Sequence, residues 1–402
     1  MDVALRTATS DDLDAITALL RTVFHSTQDP EELVVERPLH DPSRSVVAVD
    51  GDEIVGRTGS FDREVSVPGG VLRGAHVTGV GVAPTHRRQG ILRRLMERQL
   101  RTVREPLALL WASENAIYPR FGYGLAAARL HFDAELPGTG LPAPAPGHLR
   151  AGPAETLRAD VAKIYDGVRV ERPGWSSRDD NWWSFLLSDL PSQRHGATEL
   201  RAVVHEDPGG ATDGYAIFRV RGDWGSTGPA SEVQVQELAA LDTEAYRALW
   251  RFLMSLDLTR RLTYSFATVD EPLIHLVPEP RRLDAGYRDS LWVRVVDVPA
   301  ALTGRAYRTP LDVVLELTDP ILPANAGRWR LTAGGATATC TPTLDPADLS
   351  LDVRDLGAAY LGGTSLATLA RAGRVHERRP GALLTADTAF GWHRAPGGAE
   401  VF

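Results

Sequence analysis

The chain has 402 residues, 43% of them hydrophobic, and a formal net charge of −8, and this length predicts roughly two to three domains. The acidic balance argues against a nucleic-acid partner, because phosphate contacts need a basic surface; it is compatible with a cationic substrate, although ordinary solubilising charge explains it equally well. No run of about 18 apolar residues occurs and the first residues are strand-like, so we expect a cytoplasmic protein without a membrane partner.

The first 82 residues have the pattern of a strand, a capped helix and an antiparallel sheet. Residues 3–7 are a predicted strand, and residues 9–12 provide capping side chains for a helix. The apolar face of that helix consists of Leu13, Ile16, Leu19 and Leu20. An Asp-Gly turn at residues 50–53 predicts a tight hairpin, and the sheet is expected to continue through residues 65–67 and 72–82.

The most informative stretch runs from Val80 to Met96. Its β-branched strand stops at Pro84, because proline cannot donate a hydrogen bond to a strand ladder. Apolar residues then recur at helical spacing, so Gly90 lies near a helix start. A helix N-terminus presents unpaired N–H groups and partial positive charge, and a glycine lets the backbone approach an anion closely. The stretch therefore predicts a loop that cradles a phosphate.

The arginines of this loop add charge-assisted donors for the pyrophosphate of an acyl-coenzyme A. The candidate cofactor-binding residues are Val80, Gly81, Val82, Arg87, Arg88, Gln89, Gly90, Ile91, Leu92 and Arg93, followed further on by Ser113 and Glu114. The loop resembles the R-x-x-G-x-[G/A] signature of the GCN5-related N-acetyltransferase superfamily, with Leu92 in place of the usual small residue. The alternative is a solvated basic helix start.

A second segment narrows the resemblance. Residues 109–124 combine an apolar strand, a short helical turn and the Tyr-x-x-Phe-Gly-Tyr sequence that ends at Tyr123. Together with the chain length and the C-terminal Phe402, this resembles the Eis (enhanced intracellular survival) family, which acetylates amines of aminoglycosides and related polyamines. The resemblance implies acetyl-coenzyme A as the acetyl donor, a small-molecule amine as the acceptor, and a homo-oligomer, specifically a hexamer.

A run rich in proline and glycine at residues 137–152 predicts a domain boundary. The pattern of strands and helix then partly repeats, but Asp242 and Glu244 stand where the first copy has its arginines and glycine. We expect an α/β (α+β) fold with a catalytic acetyltransferase domain at 1–148 and a degenerate copy at 149–290, the alternative being a merely similar α/β segment. The resemblance implies that residues 291–402 form a sterol-carrier-protein-like domain whose C-terminus reaches the active site.

The resemblance also assigns the chemistry. Backbone N–H groups at the end of the strand that contains Val80 would polarise the thioester carbonyl. Tyr118 matches the general acid that protonates the coenzyme A thiolate; Tyr123 is its rival, and a purely structural Tyr118 is the alternative. A phenol has a pKa of about 10 and a thiol about 8.5, so this transfer depends on positioning.

The general base implied by the resemblance is the α-carboxylate of Phe402. Its ordinary pKa of about 3.5 makes it a weak base that desolvation would strengthen. A frayed terminus is the alternative, because chain ends are commonly disordered. The candidate substrate-binding residues are Phe24 and Trp111 as apolar walls, and Asp289 and Glu400 as negative charges. For each acid, a solvated surface position is equally compatible with the sequence.

The sequence offers no metal site. Its only cysteine is Cys340, which excludes an intramolecular disulfide and a multi-cysteine zinc site. The 11 histidines are scattered, without a pair at metal-ligand spacing. Three functional hypotheses remain: an N-acetyltransferase for polycationic amines, a protein or peptide lysine acetyltransferase, and a non-catalytic sensor that binds acyl-coenzyme A.

Overall fold

The computed structural model describes residues 3–27, 29–334 and 337–402. These residues fold into two compact units. The first comprises the described residues up to Ala127, together with Ser290–Pro396 and Val401–Phe402. The second comprises Ala128–Asp289 and Gly397–Glu400. None of the helices in the described part of the chain combines the length and apolarity needed to cross a membrane.

The described residues form 21 strands and 12 α-helices, joined by loops and short 3-10 turns. The strands are β1 (Ala4–Thr7), β2 (Ser45–Asp50), β3 (Glu53–Val67), β4 (Gly70–Val82), β5 (Leu107–Trp111), β6 (Gly124–Leu125), β7 (Ala128–Glu135), β8 (His148–Pro153), β9 (Arg201–Glu206), β10 (Thr212–Arg221), β11 (Trp224–Gly225), β12 (Gly228–Pro229), β13 (Ser231–Ala240), β14 (Thr259–Thr268), β15 (Gly286–Asp289), β16 (Leu291–Val295), β17 (Leu311–Thr318), β18 (Gly327–Gly334), β19 (Thr337–Pro342), β20 (Leu349–Asp352) and β21 (Val375–Glu377). The helices are α1 (Leu13–Phe24), α2 (Pro30–Glu36), α3 (Ile91–Thr102), α4 (Leu136–Thr139), α5 (Arg158–Arg169), α6 (Asp180–Leu186), α7 (Thr243–Met254), α8 (Leu273–Leu276), α9 (Val298–Thr303), α10 (Val353–Ala359), α11 (Leu366–Arg371) and α12 (Ala382–Phe390).

The first unit contains a seven-stranded sheet in the order β1-β2-β3-β4-β5-β16-β6. The predicted strand, helix and hairpin are confirmed as β1, α1 and the β2–β3 pair. The predicted capping contact belongs to the 3-10 turn before α1, where the Asp12 carboxylate accepts a hydrogen bond from the Thr9 N–H, and α1 itself has no side-chain cap. Helices α1 and α3 pack on the sheet because their apolar residues recur at helical spacing and face one side. That face buries Ile16, Leu19, Ile91 and Leu95 in a cluster with residues of β2 and β3.

Strands β4 and β5 are parallel, and they pair only through Gly74–His76 with Leu107–Leu109. Beyond His76, β4 continues to Val82 without a β5 partner. On its other side β4 pairs with β3, with a register shift near Gly79, whose φ of +56° is in the left-handed region that favours glycine. The last residues of β4 therefore present an open edge on the side of β5.

Strand β16 belongs to the first sheet, although it begins the predicted third domain. It lies antiparallel to β5, from Leu291 opposite Trp111 to Val295 opposite Leu107. A second sheet, in the order β19-β18-β17-β20-β21, and helices α9–α12 complete the unit. Strands β5 and β16 share one hydrophobic cluster with β17 and β20. The bounds of the two units differ from those of the three predicted domains, 1–148, 149–290 and 291–402. The three-domain division stays a prediction.

The second unit is built on a seven-stranded sheet in the order β15-β7-β14-β13-β10-β9-β8. In this sheet β13 and β14 are the only parallel pair among the described strands. Helices α5 and α7 pack on β10 and β13. Helix α7 begins after Asp242, whose carboxylate accepts a hydrogen bond from the Ala245 N–H. The predicted repeat of strands and helix after the first domain is confirmed here. Strand β7 belongs to this sheet although it precedes the predicted boundary at residue 148.

A fully buried ion pair joins β16 to the segment after β17. Arg294 Nη2 lies 2.7 Å from both carboxylate oxygens of Asp319, and neither side chain is exposed. Asn325 also donates to this carboxylate at 3.0 Å. An exposed pair in the same unit, Arg330 with Asp312 at 2.7 Å, offers a matched comparison.

Asp319→Ala is expected to lower the free energy of unfolding by about 3–5 kcal/mol, because it leaves a buried guanidinium without its counter-ion. Asp312→Ala is expected to cost about 1 kcal/mol or less, because water screens an exposed pair. Urea denaturation of both variants and the parent measures the difference. Equal losses in the two variants would contradict this account of the buried pair.

Candidate active site

A cavity of about 820 Å³ lies in the first unit, at the open edge of β4. Its walls come from the end of α1, the end of β4, the loop that starts α3, and the turn after β5. The predicted site residues that line it are Phe24, Val80, Gly81, Val82, Arg87, Arg88, Gly90, Ile91, Leu92, Arg93, Ser113, Glu114 and Tyr118. Three stretches of sequence, residues 23–25, 80–93 and 113–121, are thus brought to one place.

The start of α3 forms the basic end of this cavity. Gly90 is the residue before the helix and has φ +77°, and a Cβ placed on it would meet no atom within 4 Å. The first N–H groups of a helix have no partner within it, so they remain available to an anion. Four arginines line the cavity, namely Arg87, Arg88, Arg93 and Arg120, against the one carboxylate of Glu114 among the described lining residues. This balance favours a multiply charged anionic ligand.

Tyr118 lies on the 3-10 turn after β5 and is 5% exposed. Burial raises the pKa of its phenol, an effect that a hydrogen bond with the Ser113 side chain opposes and the nearby Glu114 charge reinforces. The rival Tyr123 is fully buried, and its ring lies 6.1 Å from that of Tyr118. Among the described residues, the Tyr123 hydroxyl has no hydrogen-bond partner and the residue does not line the cavity. Of these two tyrosines, Tyr118 is the one that lines the cavity.

The C-terminal Phe402 packs on β4. Its ring lies edge-on against that of His76, with 4.6 Å between the ring centroids and 69° between the planes. His76 is fully buried and is the last β4 residue that pairs with β5. The chain terminus is thus seated at the point from which the two strands diverge. Phe402 is half-buried against the large hydrophobic cluster of the first unit.

The structure does not bring all of the predicted residues to this cavity. Gln89, Trp111 and Phe402 do not line it, and Trp111 lies at the end of β5 opposite Leu291. Asp289 belongs to the second unit, at the end of its edge strand β15. Glu400 also belongs to the second unit, where it is buried against Arg178. Within the second unit the Glu400 carboxylate is thus paired with a buried guanidinium.

Three polar residues of the cavity are not among the predicted site residues: His25, His86 and Arg120. His25 ends α1 with φ 53°, an uncommon conformation outside glycine that turns the chain after Phe24. His86 lies 3.2 Å from Asp50 and 2.8 Å from the Thr85 hydroxyl. The signal for each was its position beside a predicted site residue. Within the described ranges, no group of three His, Cys, Asp or Glu side chains could hold a metal ion.

Family models cover most of the chain. Residues 4–126 match a model described as an acetyltransferase (GNAT) domain, and residues 174–295 match a second model with that description. Residues 298–397 match a sterol carrier protein domain. The predicted tandem acetyltransferase fold with a sterol-carrier-protein-like C-terminal part is therefore confirmed.

Known proteins resemble the chain over its whole length. It is 47% identical to an uncharacterized N-acetyltransferase from Streptomyces avermitilis, over 94% of both chains. It is 35% identical to the N-acetyltransferase Eis of Mycobacterium tuberculosis, over 97% of both chains. The crystal structure of Eis1 from Mycobacterium abscessus covers all of both chains with a TM-score of 0.86 and 31% identity. A GCN5-related N-acetyltransferase from Anabaena variabilis shares the fold, with a TM-score of 0.87 at 20% identity over both full chains.

The phenol of Tyr118 is expected to ionise above the ordinary tyrosine value of about 10, because burial disfavours the charged phenolate in the folded protein. The midpoint of its absorbance change in an alkaline titration should therefore lie at a higher pH than that of free tyrosine. The difference between the titration curves of the parent and Tyr118→Phe isolates this phenol. A difference curve with its midpoint below that of free tyrosine would contradict the burial described above.

Proposed function

The chain belongs to the Eis family of GCN5-related N-acetyltransferases, and we propose that its first unit transfers the acetyl group of acetyl-coenzyme A to an amine of an aminoglycoside or a related polycationic small molecule. The observation that carries this proposal is the convergence of three features in the first unit. These are the open edge of β4, the buried Tyr118 in the cavity beside it, and the C-terminal Phe402 at the point where β4 and β5 diverge.

The lining of the cavity supports an acyl-coenzyme A as the ligand. The open space at Gly90, the first N–H groups of α3 and the arginines of the loop suit a pyrophosphate. The unpartnered edge of Val80–Val82 can form backbone hydrogen bonds with an extended amide-containing arm, as a strand does with a neighbour. Bound there, acetyl-coenzyme A supplies a thioester. The N–H groups of the β4 edge would then stabilise negative charge on the thioester oxygen.

Two groups are proposed to move protons. The Tyr118 hydroxyl is protonated at neutral pH, since a phenol has an ordinary pKa of about 10 and burial raises that of Tyr118 further, and it can donate its proton to a thiolate leaving group. The α-carboxylate of Phe402 accepts the proton that the amine loses as its nitrogen forms the new bond. Desolvation of this carboxylate would raise its low ordinary pKa and make it a stronger base.

The polycationic acceptor rests on the family resemblance and on the net charge of −8. The basic lining around Gly90 suits the donor and not the acceptor, so the acceptor's amines would approach from the Phe402 side of the open β4 edge. A homohexamer and a cytoplasmic location, both expected from the sequence, form part of this proposal. The roles of the individual site residues are equally part of it.

Arg87→Ala is expected to raise the KM for acetyl-coenzyme A about tenfold with little change in kcat, because it removes a contact that is made equally in the ground and transition states. Arg101→Ala is the matched control, since Arg101 lies on α3, the helix that follows the loop of Arg87, but does not line the cavity. Steady-state kinetics with a saturating amine measures both variants. Equal KM values for the two variants would contradict the cofactor role of Arg87.

Amine-dependent thiol release from acetyl-coenzyme A, measured with a panel of aminoglycosides and a lysine peptide, tests the reaction itself. Tyr118→Phe and a chain extended by two glycines beyond Phe402 are each expected to lower kcat about a hundredfold or more, because each removes one proton-transfer group. Tyr287→Phe, on an exposed tyrosine of the second unit, and an N-terminal extension are the controls.

Turnover with aminoglycosides that disappears only in the first two variants would support both the substrate class and the two roles. Turnover with the peptide alone would replace the aminoglycoside with a protein acceptor. Tight binding of acetyl-coenzyme A without turnover on any amine would contradict the catalytic proposal and favour a sensor.

A further inference from the structure

The C-terminal segment of the chain is buried although it forms neither helix nor strand. Residues 396–400 are all buried, whereas Val401 is 53% exposed. Chain ends usually fray unless specific contacts hold them. Of these residues, 397–400 belong to the second unit, so the contacts that hold them can be described there.

Arg178 is the centre of those contacts. Its Nε lies 3.1 Å from Glu400 Oε2, and its Nη1 lies 2.9 Å from Glu237 Oε1. The Trp182 indole donates to the other oxygen of Glu400 at 3.1 Å. The guanidinium also lies 3.7 Å from the centroid of the Tyr165 ring. Only 1% of the Arg178 side chain is exposed, so water screens these charge pairs little.

The same segment lies where two parallel strands separate in the seven-stranded sheet of the second unit. Strands β13 and β14 pair only through Ser231–Val235 with residues up to Tyr264, although β13 continues to Ala240 and β14 to Thr268. Glu237 lies on β13 beyond the last pair. Gly397 lies against Thr268, at the end of β14, so closely that a Cβ on Gly397 would be 2.8 Å from the Thr268 methyl group. The segment therefore reaches both strands after they diverge.

The two seven-stranded sheets separate at equivalent pairs of parallel strands, but different groups occupy the two openings. Strands β10, β13 and β14 are neighbours in the seven-stranded sheet of the second unit, as β3, β4 and β5 are in that of the first unit. The last two strands of each set are parallel. In the first unit the opening borders the large cavity. In the second unit the side chain of Ala399 is packed in a hydrophobic cluster with Ala239 of β13 and Tyr215 of β10. The chain itself fills the second opening.

We propose that the second acetyltransferase-like unit serves as an anchor for the C-terminal segment, with Arg178 as the positioning residue that holds Glu400. The anchor fixes the chain two residues before its terminal carboxylate, and this restricts where Phe402 can move. The consequence for catalysis rests on the proposed role of that carboxylate. The anchoring itself does not, because it depends only on the contacts of residues 397–400 within the second unit.

The test compares Glu400→Gln and Arg178→Lys with the parent. Glu400→Gln removes one of two carboxylates and leaves Arg178 its Glu237 partner, so the second unit is expected to stay folded. Arg178→Lys retains the charge but loses the planar fork that contacts both acids. Glu199→Gln is the matched control, since Glu199 pairs with Arg201 at an exposed site of the same unit.

Release of Phe402 by a carboxypeptidase, followed by mass spectrometry of the intact chain, measures the anchoring directly. We expect release about tenfold faster or more in both anchor variants and unchanged in the control, because a buried ion pair has been weakened. In the same variants kcat should fall about tenfold while the KM for acetyl-coenzyme A stays constant, since the donor cavity is untouched.

Unchanged release of Phe402 in both anchor variants would overturn the proposal, whatever their activity. Faster release together with lower kcat supports the anchor and its catalytic purpose. Faster release with unchanged kcat supports the anchor and instead contradicts the role of the Phe402 carboxylate as base, so the two failures are distinguishable. Circular dichroism of each variant identifies a loss of kcat that comes from unfolding.

Discussion

The divergence of β4 from β5 after His76 is the constraint on which the candidate site depends. The separation of two parallel strands normally destabilises both of them, because their backbone N–H and C=O groups lose hydrogen-bond partners. Here each strand is held from its other side. Strand β3 pairs with β4 up to Val82, and β16 pairs with β5 along all five of its residues, from Leu107 to Trp111. The opening is therefore a fixed feature of the sheet.

The bulge near Gly79 has its own support. Arg57 is buried beneath it and donates to the Thr78 carbonyl oxygen and to the Ser45 hydroxyl, at 3.1 Å each. A Cβ on Gly79 would lie 1.7 Å from the guanidinium, so only a glycine leaves room for this side chain. Within the described residues Arg57 has no carboxylate partner, and burial lowers its pKa to about 10. A buried cation of this kind is costly, and its hydrogen bond to the bulge offsets part of that cost.

Local features of the sequence were sufficient to predict the elements that build the cavity. The strand that ends before Pro84, the glycine before α3 and the turn that carries Tyr118 each depend on residues close in sequence. Long-range pairing was not predictable in this way. Strand β16 pairs with β5, which lies about 180 residues earlier in the chain. Glu400 pairs with Arg178, which lies 222 positions away. A carboxylate near a chain terminus looks the same in sequence whether it faces a substrate or a buried arginine.

The central claim is that the open edge of β4 holds the acetyl donor between Tyr118 and the C-terminal carboxylate. A crystal structure of the protein with coenzyme A and an aminoglycoside tests this most directly. The account predicts that the amide-containing arm of coenzyme A is hydrogen-bonded along Val80–Val82. The coenzyme A sulfur should lie within hydrogen-bond distance of the Tyr118 hydroxyl, and an amine of the acceptor should lie within that distance of the Phe402 carboxylate. Coenzyme A bound away from this edge, or a terminal carboxylate directed away from the amine, would contradict it.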